Sequence, residues 1–326
     1  MNIHRTIALA LLSCTVSCTI FSAAAQEKYP SRNITVIVPF PAGGNLDVIT
    51  RLITPGMSRI LGQTIIVDNR PGAGGLIGSQ LAMRANPDGY TFLTTANGTG
   101  AYAPKLQPTS PYTSADFAAL GSIAVTPMVL EVNVKSRFKN IGDLISYARE
   151  HPQGVTIGHT GNGTTNHVAI LLLERAAHVK FTIVPYKGSA PAITDLLGGQ
   201  IDAVVDQMPP SMPSILDGKF RALAVTTHDR SIDLPDTPTL AESGFAGFEV
   251  TTMTGLQAPA KTPADIVDAL NKALNAALQE PELQEKLHKL GAVVHPSTPA
   301  EFQKFLAEEE AKAEELVQSG ALKKGE

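Results

Sequence analysis

The chain has 326 residues, with 26 basic and 30 acidic side chains and a formal net charge of −4. It carries no basic cluster beyond Lys323-Lys324, so neither a nucleic acid nor an anionic membrane surface is expected as a partner. About 300 residues remain after the N-terminal segment described next, which is enough for two domains with substantial cores.

Residues 1–25 have the pattern of a secretory signal peptide. Arg5 precedes an uncharged apolar run over 6–21, and small residues follow over 22–25. The run is shorter than the ~20 residues that a membrane-spanning helix needs, so we expect cleavage between Ala25 and Gln26 and a periplasmic protein.

Both cysteines, Cys14 and Cys18, lie inside this predicted signal peptide. The mature chain is therefore expected to have no disulfide, no thiolate nucleophile and no cysteine metal ligand. Lipid attachment at Cys14 stays open as an alternative, because residues 11–14 loosely resemble a lipid-attachment motif.

From Asn33 onward, short β-branched runs alternate with longer helical patterns, which is typical of parallel α/β construction. The predicted strands are 34–40, 64–68, 90–95, 122–134, 155–159, 181–184, 201–206, 221–226 and 248–258. The predicted helices are 46–61, 76–85, 141–150, 165–177, 191–197, 263–279, 281–290 and 299–319.

Two extended crossings, near residues 126 and 251, indicate that the chain leaves one lobe, builds a second and returns. We predict that 26–126 and 251–326 form lobe 1, that 127–250 form lobe 2, and that a two-strand hinge joins them. Each lobe is expected to be a mostly parallel sheet flanked by helices, with the C-terminal helices covering lobe 1.

Three glycine-rich loops each follow a predicted strand and open a helix: 39–47, 69–78 and 159–167. Ligands of open α/β sheets bind beyond the carboxyl ends of the strands, where helix N-termini meet. A helix N-terminus favours an anion by roughly 0.3–2 kcal/mol, so three facing one cleft suit a small carboxylate. Taken singly, each loop is equally a tight glycine turn with a helix cap.

Four charged or titratable residues near these loops have two interpretations each. Lys187 either binds a second carboxylate or is a solvated turn residue, and Asp47 either contacts the ligand or complements its helix dipole. Asp206 ends an apolar strand and needs a partner, which is a loop N–H or a ligand donor. His167 either orients its loop or reaches the ligand.

Nucleotide binding and catalysis are not supported by the motifs. The run 98–103 matches G-x-G-x-x-A, but Pro104 and Pro108 are expected to interrupt any following helix. No G-x-S-x-G motif occurs, and the histidines at 159, 167 and 178 lack the spacing of a metal site. We therefore expect no catalytic residue, no metal and no cofactor.

The sequence resembles the Bug-type periplasmic receptors of tripartite tricarboxylate transporter systems over essentially the whole mature chain. The segments that carry the resemblance are PFPAGGNLDVITR (39–51), VDNRPGAGGLIG (67–78), NPDGYTFL (86–93), GNGTTNH (161–167), VPYKGSAPAITDLLGGQIDAVVD (184–206) and RALAVTT (221–227).

The resemblance implies a type II periplasmic-binding-protein fold whose lobes close over a carboxylated solute. It implies that loops 40–47 and 161–165 hold one carboxylate from opposite lobes. The ligand-binding residues expected from the loops and the resemblance are Phe40, Pro41, Ala42, Gly43, Gly44, Asp47, Asn97, Gly98, Thr160, Gly161, Asn162, Gly163, Thr164, Thr165, His167, Tyr186, Lys187 and Asp206.

Two departures from the family pattern are candidate specificity positions. The family often has His where this chain has Gly100, and commonly has Trp where it has Met253. The expected partners are a small organic acid and a tripartite tricarboxylate-type permease, or a sensory membrane protein in its place, and we expect a monomer. An exported hydrolase that uses the same cleft is the alternative from another class.

Overall fold

The structure is a computed structural model, and it describes residues 29–325. The predicted signal peptide and both cysteines lie outside the described residues. None of the helices within 29–325 has the length and the apolar character that crossing a membrane requires.

Within residues 29–325 there are ten strands and ten α-helices. The strands are β1 (Ile34–Val38), β2 (Ile65–Asn69), β3 (Thr91–Ala96), β4 (Phe117–Asn133), β5 (Thr156–His159), β6 (Thr182–Pro185), β7 (Ala203–Gln207), β8 (Phe220–Val225), β9 (Thr251–Pro259) and β10 (Val293–Val294). The helices are α1 (Asn45–Leu61), α2 (Leu76–Met83), α3 (Ala103–Leu106), α4 (Ile141–Glu150), α5 (Thr165–Ala177), α6 (Ser189–Leu197), α7 (Met208–Leu216), α8 (Ala264–Leu278), α9 (Pro281–Lys289) and α10 (Pro299–Gln318).

Strand β4 runs through both halves of the molecule. Its first part pairs antiparallel with β9 as far as Pro127, and from Met128 onward it pairs with β7 and β8 instead. The strand order is β2-β1-β3-β9-β4 on one side and β4-β7-β5-β6 on the other. The fold is therefore two-lobed, with β4 and β9 as the strands that cross between the lobes.

The outer strands of each lobe are parallel, as expected from their helical connections, whereas the crossing strands are antiparallel to their neighbours. β1 pairs parallel with β2 and β3, and β5 pairs parallel with β6 and β7. β3 pairs antiparallel with β9, and β7 pairs antiparallel with β4, so each sheet is mixed in direction. The carboxyl ends of β1, β3, β5, β6 and β7 are consequently the places where loops open helices toward the other lobe.

Each lobe has its own hydrophobic core. In lobe 1, Ile34 and Val36 on β1 pack with Ile49 on α1 and Leu274 on α8. In lobe 2, the core includes Ile157 on β5 and residues of α4 and α5. Burial of this kind contributes about 25 cal/mol per Å² of apolar surface, so each lobe is stabilised independently.

Helix α10 contacts both lobes. Its Phe302 and Leu306 pack on Met253 of lobe 1, as the prediction that it covers lobe 1 requires. Further along, Ala313 packs with Val168 on α5, which belongs to the other lobe. The C-terminal helix therefore also joins the two halves behind the cleft.

Two helical segments escaped the sequence analysis. Helix α7 carries prolines at 209, 210 and 213, and the first two lie in its first turn, where a backbone N–H has no helical acceptor. Residues 98–102 form a π-helical turn that continues into α3, with Pro104 in the first turn of that helix. The expectation that Pro104 would interrupt a helix here was wrong, because the helical segment continues past it to Leu106, whereas it does end before Pro108.

Candidate functional site

A small cavity of about 30 Å³ lies between the two lobes. Its lining residues come from both lobes and include no charged side chain: Phe40, Gly44, Asn45, Leu46, Ala96, Gly98, Thr99, Thr160, Thr164, Thr165, Asn166, Gly188, Ser189, Gln207 and Thr252. Amides, hydroxyls and backbone groups therefore supply its polarity.

Four helices begin at this cavity. The N-cap residues of α1, α5, α6 and α7 are Gly44, Thr164, Gly188 and Gln207, and all four line the cavity. The first N–H groups of a helix have no partner within the helix and carry the positive end of its dipole. The arrangement can therefore bind an anion without a lysine or an arginine.

Hydrogen bonds fix the loop before α5. Thr164 Oγ1 donates to the carbonyl oxygen of Gly161 at 2.7 Å and accepts from the His167 N–H at 3.4 Å. The ring of His167 accepts from the Gly163 N–H through Nδ1 at 3.3 Å and stacks on His159 at 4.5 Å between ring centroids. His167 thus contacts the loop through both its backbone N–H and its ring.

A buried polar network connects the lobe 2 side of the cavity to the hinge. Asn166 Nδ2 donates to the Val205 carbonyl at 2.9 Å, and Gln207 Nε2 donates to Asn166 Oδ1 at 2.9 Å. Gln207 Nε2 also lies 3.2 Å from Thr252 Oγ1 on β9. Side chains of the cavity wall therefore link α5 and β7 to a crossing strand.

Asp206 lies behind this wall and is fully buried. Its Oδ1 accepts from Ser189 Oγ at 2.9 Å, from the Gln207 N–H at 2.9 Å and from Asn166 Nδ2 at 3.2 Å. Burial raises the pKa of Asp206 to about 7, although the three hydrogen bonds act in the opposite direction. Asp206 positions cavity residues and does not itself line the cavity.

Asp47 is likewise an internal anchor of the first loop. Its carboxylate accepts from Arg51 Nε at 2.9 Å, from the Gly43 N–H at 2.9 Å and from Asn69 Nδ2 at 2.9 Å. Burial alone would raise the pKa of Asp47, but these bonds outweigh it and hold the pKa below its ordinary value. Asp47 thus shapes the loop, whereas Gly44 reaches the cavity.

The remaining residues of the first loop stand at the rim. Pro41 contacts lobe 2, since a Cβ built on Gly188 would lie 2.7 Å from Pro41 Cδ. Gly43 has φ +83° and nothing within 4 Å of a built Cβ, and Ala42 is exposed beside it. Of this loop, the structure brings Phe40 and Gly44 to the cavity.

Asn97 bridges the lobes next to the cavity. Its Oδ1 accepts from Thr165 Oγ1 at 3.2 Å, and its Nδ2 donates to the Thr251 carbonyl at 3.0 Å and to Glu309 Oε2 at 3.0 Å. Gly98 beside it approaches the Thr165 N–H so closely that a Cβ would lie 2.7 Å away. Both residues thus support the lobe 1 side of the site.

A second group of predicted residues lines a groove at the cleft entrance. Gly161, Asn162, Tyr186 and Lys187 lie there with residues 72–76, outside the cavity itself. The Tyr186 hydroxyl donates to Asp195 at 2.8 Å. Lys187 is exposed and lines this groove, whereas the cavity is lined by no charged side chain.

The two candidate specificity positions lie in packed parts of lobe 1. A Cβ on Gly100 would meet Leu306 at 3.1 Å and Thr95 at 3.2 Å, and Met253 packs with Ala119 and Phe302. Neither residue lines the cavity. The geometry gives both a packing role.

Sequence reasoning missed several cavity residues, most of which stand where a strand gives way to a helix: Asn45, Leu46, Ala96, Thr99, Asn166, Gly188, Ser189, Gln207 and Thr252. The signal for Ser189 and Gln207 was present, since each directly follows a predicted strand and loop of lobe 2. The prolines after Gln207 concealed the helix that it caps.

Within residues 29–325, no three His, Cys, Asp or Glu side chains are grouped closely enough to hold a metal ion. Burial, with a smaller contribution from His167, lowers the pKa of His159 to about 3, so its ring is neutral near pH 7. The Nδ1 atom of His159 lies 3.0 Å from the carbonyl oxygen of Gly161. This histidine therefore supports the loop.

The family model for the tripartite tricarboxylate transporter family receptor matches residues 49–322. The chain belongs to this family. The match confirms the resemblance seen in the loop segments, and it covers most of both lobes.

Three solved structures of similar proteins share the fold over nearly their full length. The periplasmic binding protein BugD is 36% identical with a TM-score of 0.86, covering 90% of this chain and 100% of that one. MatC from Rhodopseudomonas palustris, solved with malate, is 34% identical with a TM-score of 0.85, covering 89% and 100%. Rpa4515 from R. palustris, solved with adipate, is 35% identical with a TM-score of 0.86, covering 89% and 97%.

Proposed function

We propose that this protein is an exported solute receptor that encloses a small organic carboxylate between its lobes and delivers it to a tripartite tricarboxylate-type permease. The observation that carries the proposal is the convergence of four helix N-termini on an uncharged interlobe cavity. Malate and adipate bound to two relatives support the same class of solute.

The cavity favours a carboxylate for an electrostatic reason. Each helix N-terminus contributes about half a positive charge, and enclosure away from water strengthens its effect. A carboxylate also satisfies backbone N–H groups that would otherwise remain unpaired in the closed cleft. Neutral hydroxyls and amides such as Thr165 and Asn45 then recognise the remainder of the solute.

Binding without turnover fits the side-chain chemistry of the cavity. The Ser189 hydroxyl in the cavity wall donates to Asp206. The rings of His159 and His167 contact backbone groups of the loop before α5, Gly161 and Gly163 respectively. A hydrolase would need a nucleophile bonded to a base that is oriented by a third group. Turnover of a bound ester or amide would favour the hydrolase alternative.

We propose the lobe division at residues 126/127 and 250/251, together with export through cleavage at Ala25–Gln26 and a monomeric state. The partner change of β4 between Pro127 and Met128 and the start of β9 at Thr251 support this division. N-terminal sequencing of the exported protein tests the cleavage, and sedimentation tests the monomer. A sensory membrane protein in place of the permease is the alternative for delivery.

A thermal-shift screen with malate, adipate and other small mono- and dicarboxylates tests the proposal. A solute at about 100 times its dissociation constant adds about 2.7 kcal/mol to the free energy of unfolding, so a bound acid raises the melting temperature clearly. Mass spectrometry of acids retained through purification widens the set. Folded protein that responds to no acid would contradict the proposal.

A further inference from the structure

The second glycine loop, residues 69–78, does not reach the cavity. Residues 72–76 instead line the groove at its entrance, opposite Gly161 and Asn162 of lobe 2. The sequence alone suggested that this loop binds an anion with the other two. Because loop 69–78 lies outside the cavity, we expect it to have a role other than binding the solute.

The loop touches lobe 2 through backbone atoms. A Cβ built on Gly74 would overlap the carbonyl oxygen of Asn162, and a Cβ built on Gly161 would lie 2.9 Å from Gly74 Cα. Real Cβ atoms do not approach so closely, and backbone atoms cannot rotate away as a side chain can. We call this meeting of Gly74 with Gly161–Asn162 the entrance contact.

The loop also lies directly on the cavity wall. A Cβ on Gly75 would be 2.6 Å from Thr99 Cγ2 and 3.2 Å from Phe40 Cζ, and both of these residues line the cavity. Gly74 and Gly75 both have positive φ, +63° and +97°, which glycine adopts without strain. The glycines therefore let the loop lie flat between the wall of lobe 1 and the backbone of lobe 2.

We propose that the entrance contact is a closing element of the receptor, and that loop 69–78 seals the cleft and binds no solute. The inference rests on the proposed function only in that closure retains a solute. When the lobes meet, Gly74 and Gly161–Asn162 complete the enclosure. Without this contact the closed state is less populated, and the apparent affinity falls by the same fraction.

Gly74→Ala tests the proposal, with Gly62→Ala as its matched control. Gly62 also lies in lobe 1 with φ +69°, but nothing is within 4 Å of its built Cβ. Both variants carry the same backbone strain of an alanine in the left-handed region. Only the variant at position 74 places an atom between the lobes.

The readout is amide hydrogen exchange of the lobe 2 segment 157–168. It is measured without solute and again at saturation with the acid that gives the largest thermal shift, because the entrance contact forms when the lobes meet. We expect Gly74→Ala to raise the exchange of this segment by about threefold or more, because its loop loses a covering partner in the other lobe. Gly62→Ala leaves it unchanged. Equal exchange in the wild type and Gly74→Ala would overturn the proposal.

Gly161→Ala provides the reciprocal measurement if Gly74→Ala folds poorly. Its Cβ would press on Gly74, so exchange should rise in the lobe 1 segment 70–78. Malate and adipate are then titrated against wild type and Gly74→Ala, with about tenfold weaker binding expected for the variant. A wild type that binds no acid counts against the proposed function, whereas the exchange result still decides the role of the loop.

Discussion

Asp206 shows how a single buried acid can organise a cavity wall. It lies at the end of β7 and bonds Ser189, Asn166 and the Gln207 N–H, three groups from three elements that face the cavity. A second buried acid, Glu131, lies on β4, and burial, with a smaller contribution from Asp206, holds the pKa of Glu131 well above its ordinary value. Two acids in one low-dielectric region disfavour each other's charged form.

We predict a pH-dependent stability difference between the wild type and Asp206→Asn. The folded state holds the Asp206 proton up to pH about 7, whereas the unfolded chain releases it near an ordinary value of 3.8. The wild type therefore loses stability relative to the variant as pH rises from about 4 to about 7, by up to about 1.4 kcal/mol per pH unit.

Urea unfolding of both proteins across this pH range measures the difference. It should be constant above pH 7 and below pH 4, where both states share one protonation form. A difference that stays flat between pH 4 and 7 would contradict the burial of an ionisable carboxyl at this position.

Several residue roles could be predicted from the sequence, while others could not. Gly44, Thr164 and Thr165 were chosen for their place in loops that follow strands, and the structure brings them to the cavity. Asp47 could not be assigned, because its partner Asn69 lies 22 residues away on another strand. A sequence shows that an acid needs a partner, but the fold decides which partner it meets.

At the scale of elements, the helix caps perform two functions. Thr164 closes the first turn of α5 and also stands in the cavity wall, so one hydroxyl contributes to stability and to the site. Thr298 caps α10 in the same way, far from the cavity, with its Oγ1 accepting from the Glu301 N–H at 3.2 Å. Substituting Thr298 measures what a lost helix cap costs in stability, so any additional loss of solute binding on substituting Thr164 can be assigned to the site.

We predict that Thr164→Ala and Thr298→Ala each lower the free energy of unfolding by about 1 kcal/mol. Only Thr164→Ala should also weaken solute binding, by about fivefold or more, because it removes a hydroxyl of the wall and loosens the loop. Calorimetric titration of both variants with the same acid is the measurement. Equal binding by the two variants would remove Thr164 from the site.

The sequence predicted helices and strands correctly where the apolar periodicity was strong, and it missed a helix where prolines interrupted the pattern. Strands β1 and β5 and helices α1, α8 and α10 match their predicted ranges within a few residues. Helix α7 was missed because Met208–Leu216 contains three prolines, although two of them occupy a first turn that tolerates proline. The missed helix concealed the site role of Gln207.

At the scale of the whole molecule, two strands and one helix connect the lobes. β4 and β9 cross between the sheets, and α10 packs on lobe 1 and on α5. A solute must enter the cavity, which is enclosed when the lobes meet, so the lobes have to separate and close again. Contacts that a solute makes with both lobes then favour the closed state.

X-ray scattering should therefore show a smaller radius of gyration with a bound acid than without one. The crossing strands limit the motion to a hinge, so the change is expected in overall shape with no change in secondary structure. Equal scattering curves for the free and bound protein would contradict closure by a hinge.

The substitution Gly44→Leu tests whether a carboxylate is captured in the interlobe cavity. Gly44 has φ −79°, so the substitution adds no backbone strain, and its built Cβ lies 3.8 Å from Ser189 Oγ of the other lobe. A leucine there occupies the space of the solute. Gly198→Leu is the control, since Gly198 has φ −74° and is exposed on lobe 2.

The measurement is calorimetric titration of the wild type and both variants with the acid that gives the largest thermal shift. We expect one site per chain in the wild type and in Gly198→Leu, and no measurable binding in folded Gly44→Leu. Wild-type affinity in Gly44→Leu would show that the solute binds elsewhere and would contradict its capture in this cavity.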